Sequence, residues 1–182
     1  MKTFLSIAAV FLFAWTIWKL AQYEERLTFV PRALVGWWVL YVSEGSSGIG
    51  PGAHQAGIIV YDMPDDAKKR LMREGAEWLG GLPPNRFRGR KYEFRNWRSS
   101  PIPARQRWTD PERCRDSAES MGYHYRCPSI THYFNFPIHV DREVVDMVDQ
   151  AVFSSGAYYT YKRRSMVILI PGLSRVVYVY AR

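Results

Sequence analysis

The chain has 182 residues, of which 47% are apolar and 15% aromatic. This composition excludes an intrinsically disordered chain, and two cysteines are too few for a disulfide-dense scaffold. The net charge of +8 indicates an anionic partner without naming its class.

A run of sixteen uncharged residues, 3–18, lies between Lys2 and Lys19. A core helix would carry a polar face, and this run has none, which predicts a helix suited to lipid. We therefore predict a single-pass signal-anchor helix over residues 1–26 and one domain over residues 27–182. A cleaved signal peptide is an alternative, although no A-x-A-like cleavage site follows the run. A helix buried in a soluble core is the other.

Two features of the flanking sequence disagree about which side of the membrane holds the domain. Lys19, Arg26 and Arg32 follow the apolar run and favour a cytoplasmic body by the positive-inside rule. The short N-terminal tail and the signal-like layout favour translocation instead. We expect a bacterial inner-membrane protein with its body on the periplasmic side.

The next elements predict a hairpin. Residues 33–42 are rich in β-branched and aromatic side chains and predict a buried strand, with a second membrane helix over 27–42 as the alternative. Residues 43–52 hold four glycines and predict a loop, and residues 56–61 predict the second strand. The G-x-G-x-x-A outline at 48–53 precedes a strand rather than a helix, so no dinucleotide cofactor is predicted.

The same loop carries weak catalytic candidates, which are Ser46, Ser47 and His54. Together with Asp62 they supply the residue types of a hydrolytic triad, but the G-x-S-x-G spacing is absent. A membrane-tethered hydrolase is therefore one alternative function.

The remaining elements are read from helical spacing, alternation and caps. They are a helix capped by Asp62 and stopped at Gly80, a strand at 91–97, an extended loop at 99–104, a short helix from Thr109, a strand at 129–137, a helix at 141–153, and strands at 166–170 and 175–180. This mixed order predicts an α+β fold with a mixed or antiparallel sheet and two to three helices.

The positive charge is concentrated in residues 86–115, which we call the basic segment. It holds ten basic and three acidic residues, nine of the basic ones being arginine. Arginine prefers planar contacts with phosphate or carboxylate, and interleaved aromatic residues are typical of lipid surfaces and of single-stranded nucleic-acid sites. The predicted binding residues are Arg86, Arg88, Arg90, Lys91, Arg95, Trp97, Arg98, Arg105, Arg107 and Trp108.

Three alternatives stay open for the basic segment. It contacts an anionic membrane surface or an acidic protein, it binds nucleic acid from the cytoplasmic side, or it is a solvated surface paired with acids elsewhere. The predicted membrane anchor favours the first. We accordingly expect a membrane-anchored binding or assembly domain, with no enzymatic activity assigned.

Cys114 and Cys127 lie thirteen positions apart and predict a disulfide if the domain is exported. A zinc site that adds His124 and His132 is the rival, but its spacing is not that of a standard zinc motif, so no metal is predicted. Two free thiols are the third possibility.

Overall fold

The computed structural model describes residues 2–47, 54–87, 90–104, 109–110, 112, 128–134, 138–162 and 164–181. For residues 2–10, 86–87 and 90–92 it describes the backbone alone. Residues 48–52 of the predicted loop at 43–52 and most of the short helix predicted from Thr109 lie outside these residues. Residues 43–47 belong to the strand Val39–Ser47, so the loop prediction is wrong for that part.

Three α-helices occur in the described part: α1 (Lys2–Leu27), α2 (Asp65–Gly80) and α3 (Arg142–Phe153). The strands are β1 (Val39–Ser47), β2 (His54–Asp62), β3 (Asn85–Phe87), β4 (Arg90–Tyr92), β5 (Arg98–Ser99), β6 (Tyr158–Lys162), β7 (Ser165–Ile170) and β8 (Arg175–Ala181). Short 3-10 helices occupy Arg32–Leu34, Ile130–Tyr133 and Pro171–Leu173.

Six strands form one sheet in the order β1-β2-β8-β7-β6-β5, and every neighbouring pair is antiparallel. The strands β3 and β4 form a separate antiparallel pair. The predicted α+β domain with an antiparallel sheet is confirmed. The predicted hairpins β1–β2 and β7–β8 are confirmed as well.

Both faces of the sheet are buried, because alternate residues of its central strands enter two different cores. Ile58 and Val60 of β2 pack with Val148 and Val152 of α3. Ile59 packs instead with α2 and with the end of α1. This alternation follows the period of two along a strand and makes the molecule three layers thick.

Two predicted strands have other structures. The apolar stretch 33–42 begins with a 3-10 helix at Arg32–Leu34, and β1 starts at Val39, which also contradicts a second membrane helix over 27–42. Within 91–97 the strand β4 ends at Tyr92, and Asn96 has a φ of 57°, which interrupts extended backbone.

The predicted strand at 129–137 is a 3-10 helix in its described part. The hydroxyl of Ser129 accepts a hydrogen bond from the Thr131 amide, and Asp149 Oδ1 accepts one from the Ile130 amide. Side chains that bond the backbone in this way compete with a strand ladder. The prediction that Asp62 caps α2 is also wrong, because Asp62 ends β2 and the helix begins at Asp65.

Among the described residues, no helix is long and apolar enough to cross a membrane. The predicted signal-anchor helix over residues 1–26 is thus not confirmed by the described structure.

Candidate functional site

The helix α1 has two segments in different surroundings. Residues 11–20, which we call the outer segment, are exposed at ten consecutive positions, so this part of the helix packs on the body along none of its sides. Its seven exposed large apolar side chains are Phe11, Leu12, Phe13, Trp15, Ile17, Trp18 and Leu20. An exposed apolar surface of this kind marks a site of contact with lipid or protein.

Residues 21–27, the inner segment, hold α1 on the body. Leu27 is buried in the core that also contains Ile59. The hydroxyl of Tyr61 donates a 2.7 Å hydrogen bond to the carbonyl oxygen of Arg26, and Tyr23 bonds the carbonyl of Trp37. Burial raises the pKa of Tyr61 well above its ordinary value, so its hydroxyl stays protonated as a donor.

Two exposed tryptophans lie beside the point where α1 leaves the body. Trp37 and Trp38 are 73% and 71% exposed, and the Trp37 carbonyl accepts the bond from Tyr23. The guanidinium of Arg32 lies 4.5 Å from the centroid of the Trp37 ring. Exposed tryptophans next to basic residues are typical of the headgroup level of a membrane.

The start of the basic segment is fixed to the same place. The side-chain amide of Asn85, the first residue of β3, donates hydrogen bonds to the carbonyls of Thr28 and Val30. Its Oδ1 accepts a 3.0 Å bond from the Arg32 amide. The β3–β4 pair, in which Arg86 lies opposite Lys91, therefore begins next to the end of α1.

The predicted binding residues of the basic segment have separate locations. Arg95 is exposed and pairs with Glu93 at 2.7 Å, and Arg98 is exposed on the edge strand β5. Trp97 is buried against Phe94, with ring centroids 6.4 Å apart. Arg86, Arg90 and Lys91 are described by their backbone, and Arg88, Arg105, Arg107 and Trp108 lie outside the described residues.

A polar cleft of about 500 Å³ lies between the inner segment and the β1–β2–β8 edge of the sheet. Its central group is the carboxylate of Glu44, which accepts a 2.8 Å bond from the Tyr180 hydroxyl and pairs with Arg26 at 2.5 Å. The other lining residues are Gln22, Glu25, Phe29, Gly45, Ser46 and Gln55. Its volume is in the range of small-molecule sites.

Gly57 explains how Tyr180 reaches Glu44. The register places Gly57 of β2 between Glu44 of β1 and Tyr180 of β8. A Cβ atom at Gly57 would lie 2.7 Å from the Tyr180 ring, so the ring lies across the bare backbone of β2. A larger residue at this position would displace the ring and its hydroxyl from the carboxylate.

The weak catalytic candidates lie on two faces of the β1–β2 pair. Ser47 pairs with His54, while Ser46 pairs with Gln55 and lines the polar cleft. Alternation then places Ser46 and His54 on opposite faces. Asp62 is at the far end of β2 from His54, about 27 Å away, so these residues do not form a triad. A hydrolase that uses Ser47 and His54 stays a prediction.

The cysteine and zinc predictions concern residues beyond the described ranges. Cys114, His124 and Cys127 lie there, so both the disulfide and its zinc rival stay predictions. The fourth zinc candidate, His132, is half-buried in the 3-10 helix at Ile130–Tyr133, and desolvation lowers its pKa. Across the described residues, no group of three or more potential ligand side chains is close enough to hold a metal.

Sequence reasoning did not find the cleft residues Glu25, Glu44 and Tyr180. The last two are separated by 136 positions, so no local spacing connects them. One signal was present: Glu44 is the single acidic residue in the strand Val39–Ser47.

Comparisons of this chain with protein-family models, with curated proteins and with solved structures find no match.

Proposed function

We propose that this chain is a membrane-associated α+β domain that inserts the outer segment of α1 into lipid and acts as a binding or assembly component at the membrane surface. The main support is the exposure of the outer segment, which has ten exposed positions and seven large apolar side chains. Leaving such side chains in water costs about 1.5–3 kcal/mol each relative to full burial.

Lipid explains this surface better than a protein groove does. A groove covers one side of a helix, whereas the apolar residues of the outer segment lie all round it and need surroundings on every side. Lys19 also supports lipid, because its ammonium lies 5.1 Å from the ring centroids of both Trp15 and Trp18. A lysine and two tryptophans at one end of an apolar run are typical of the interface between lipid and water.

The test is flotation of the full chain with vesicles of phosphatidylcholine and phosphatidylglycerol. We expect the wild-type chain to float and the double variant Phe13→Glu, Ile17→Glu to lose at least about tenfold in partitioning, since charges in hydrocarbon are costly. The matched control is Met72→Glu, Leu173→Glu, which changes two exposed apolar residues of the body and should float like the wild type.

Two results would contradict the proposal. One is equal flotation of the double variant and its control. The other is a wild-type chain that stays in the aqueous fraction as a discrete oligomer, which would indicate that copies of the chain cover one another's outer segments.

The depth of insertion has its own measurement. A membrane-impermeant amine reagent is added to sealed vesicles with the body outside. If Lys2 is labelled only after the vesicles are permeabilised, α1 crosses the bilayer. If Lys2 is labelled while the vesicles are still sealed, α1 is inserted into one leaflet.

The basic segment is proposed to contact anionic headgroups, because Asn85 fixes its start beside the end of α1. Replacing Arg95, Arg98, Arg105 and Arg107 by Glu should weaken binding to phosphatidylglycerol vesicles and leave binding to pure phosphatidylcholine unchanged. Equal loss on both vesicles, or no loss on either, would contradict this role.

The periplasmic side remains the proposed location of the body. A C-terminal reporter active outside the cytoplasm tests it directly. We expect this reporter to be active. Activity of a second C-terminal reporter, one that works only in the cytoplasm, would contradict the periplasmic location.

A further inference from the structure

The polar cleft has side chains that no other part of the described structure uses. Among the described residues, the side chains of Glu25, Gln22, Ser46 and Gln55 make no hydrogen bond or ion pair, although all four line the cleft. They are one carboxylate, two amides and one hydroxyl, and every one of them can accept a hydrogen bond from a ligand.

The electrostatics of the described lining favour a cation. The charge of Arg26 is matched by Glu44 at 2.5 Å, and both Glu44 oxygens already have partners. Within the part of the chain that the structure describes, Glu25 is left as an unmatched negative charge. The inner segment is also the C-terminal end of α1, and the helix dipole makes such an end favourable for positive charge.

The wall of the cleft is aromatic on the side of β8. The ring centroids of Phe29 and Tyr178 are 5.3 Å apart, and those of Tyr178 and Tyr180 are 5.6 Å apart. The two outer rings of this stack, Phe29 and Tyr180, line the cleft. Aromatic faces attract ammonium groups, quaternary ones included.

We propose that the polar cleft binds a ligand that carries an ammonium group, held by the Glu25 carboxylate, the aromatic wall and the amides of Gln22 and Gln55. The ligand is either a free small amine or the ethanolamine or choline headgroup of a lipid. The headgroup source rests on the proposed function, because the cleft lies beside the segment proposed to enter lipid.

The test is a titration of the full chain, in micelles of an uncharged detergent, with ethanolamine and choline chlorides followed by calorimetry. Saturable binding is expected, with a Kd at or below about a millimolar. Glu25→Gln should weaken binding about tenfold, since it removes the unmatched charge. The matched control is Glu24→Gln, which changes the exposed neighbouring glutamate and should bind like the wild type.

The absence of saturable binding by either amine would overturn the proposal. Equal affinities for Glu25→Gln and Glu24→Gln would overturn it too. Sodium acetate is the charge control, and binding of acetate as tight as that of ethanolamine would show that the cleft does not select cations.

Vesicles distinguish the two sources. If a headgroup is the ligand, phosphatidylethanolamine vesicles should compete with soluble ethanolamine, and phosphatidylglycerol vesicles should not. If neither competes while ethanolamine binds, the ligand is a free amine. Amine binding in a chain that fails to float would refute the membrane proposal and leave this inference standing.

Discussion

The two segments of α1 carry similar apolar side chains in opposite surroundings. The inner segment places Leu27 in the core and gives its Arg26 carbonyl to Tyr61, whereas the outer segment leaves Leu20 58% exposed. One continuous helix is therefore buried in the protein core at one end and exposed outside the body at the other. The comparison shows that apolar content alone does not identify a core helix, because contact with the body decides which residues stabilise the fold.

The largest effect is expected for Leu27→Ala. Leu27 is 7% exposed, and truncating a buried leucine costs about 2–4 kcal/mol of unfolding free energy. Urea denaturation of the full chain in detergent measures it. A loss below about 0.5 kcal/mol would show that the inner segment does not hold α1 on the body.

Gly57→Ala should destabilise the fold by about 1–3 kcal/mol, because the new Cβ would overlap the Tyr180 ring at 2.7 Å. The same denaturation measures it. Gly172→Ala is the control, since nothing lies within 4 Å of a Cβ there, and it should change stability by less than about 0.5 kcal/mol. Equal stabilities of the two variants would contradict the account of how Tyr180 reaches Glu44.

Tyr61→Phe should cost about 1 kcal/mol at neutral pH, because it removes the bond to the Arg26 carbonyl. The folded pKa of Tyr61 is raised, so its contribution is complete below the unfolded value near 10 and declines as the pH rises above that value. The variant should therefore lose less stability than the wild type between neutral and strongly alkaline pH.

The control for this prediction is Tyr161→Phe. The Tyr161 hydroxyl is buried and has no hydrogen-bond partner among the described residues, so its removal should not lower stability at neutral pH. A loss in Tyr161→Phe as large as that in Tyr61→Phe would remove the evidence that the bond to α1 matters. Denaturation at several pH values gives both comparisons.

The smallest effect is expected for Leu20→Ala, the outer-segment counterpart of Leu27→Ala. Leu20 contacts solvent over more than half its surface, so the unfolding free energy should change by less than about 0.5 kcal/mol. The affinity of the Leu20→Ala chain for vesicles should fall instead. A stability loss matching that of Leu27→Ala would mean that the outer segment packs on the body.

The sequence predicted the parts of the fold that local patterns determine. The helix α3 and the β7–β8 hairpin were expected within two residues of their observed ends, because their apolar periods and turn residues agree. The 3-10 helix at Ile130–Tyr133 was not, because it depends on Asp149, nineteen positions away. The positive φ of Asn96, which interrupts the predicted strand at 91–97, is backbone geometry that alternation does not reveal.

The candidate site was predicted less completely than the fold. The apolar run of α1 is evident in the sequence. Trp37 and Trp38, in contrast, are predicted to lie in a buried strand, and the structure shows them exposed beside the point where α1 leaves the body. The polar cleft was missed because its residues come from α1, β1, β2 and β8 and meet only in the folded sheet. Gly57 shows the limit most directly, since its role depends on neighbours on two other strands.

Contact between the outer segment of α1 and lipid can be measured by photo-crosslinking of the unmodified chain. The chain is bound to vesicles that contain a photoactivatable phospholipid, irradiated, and mapped by mass spectrometry. We expect lipid adducts within residues 11–20 and at Trp37 or Trp38, with α3 unlabelled. Adducts absent from residues 11–20, or spread equally over α3, would contradict this contact.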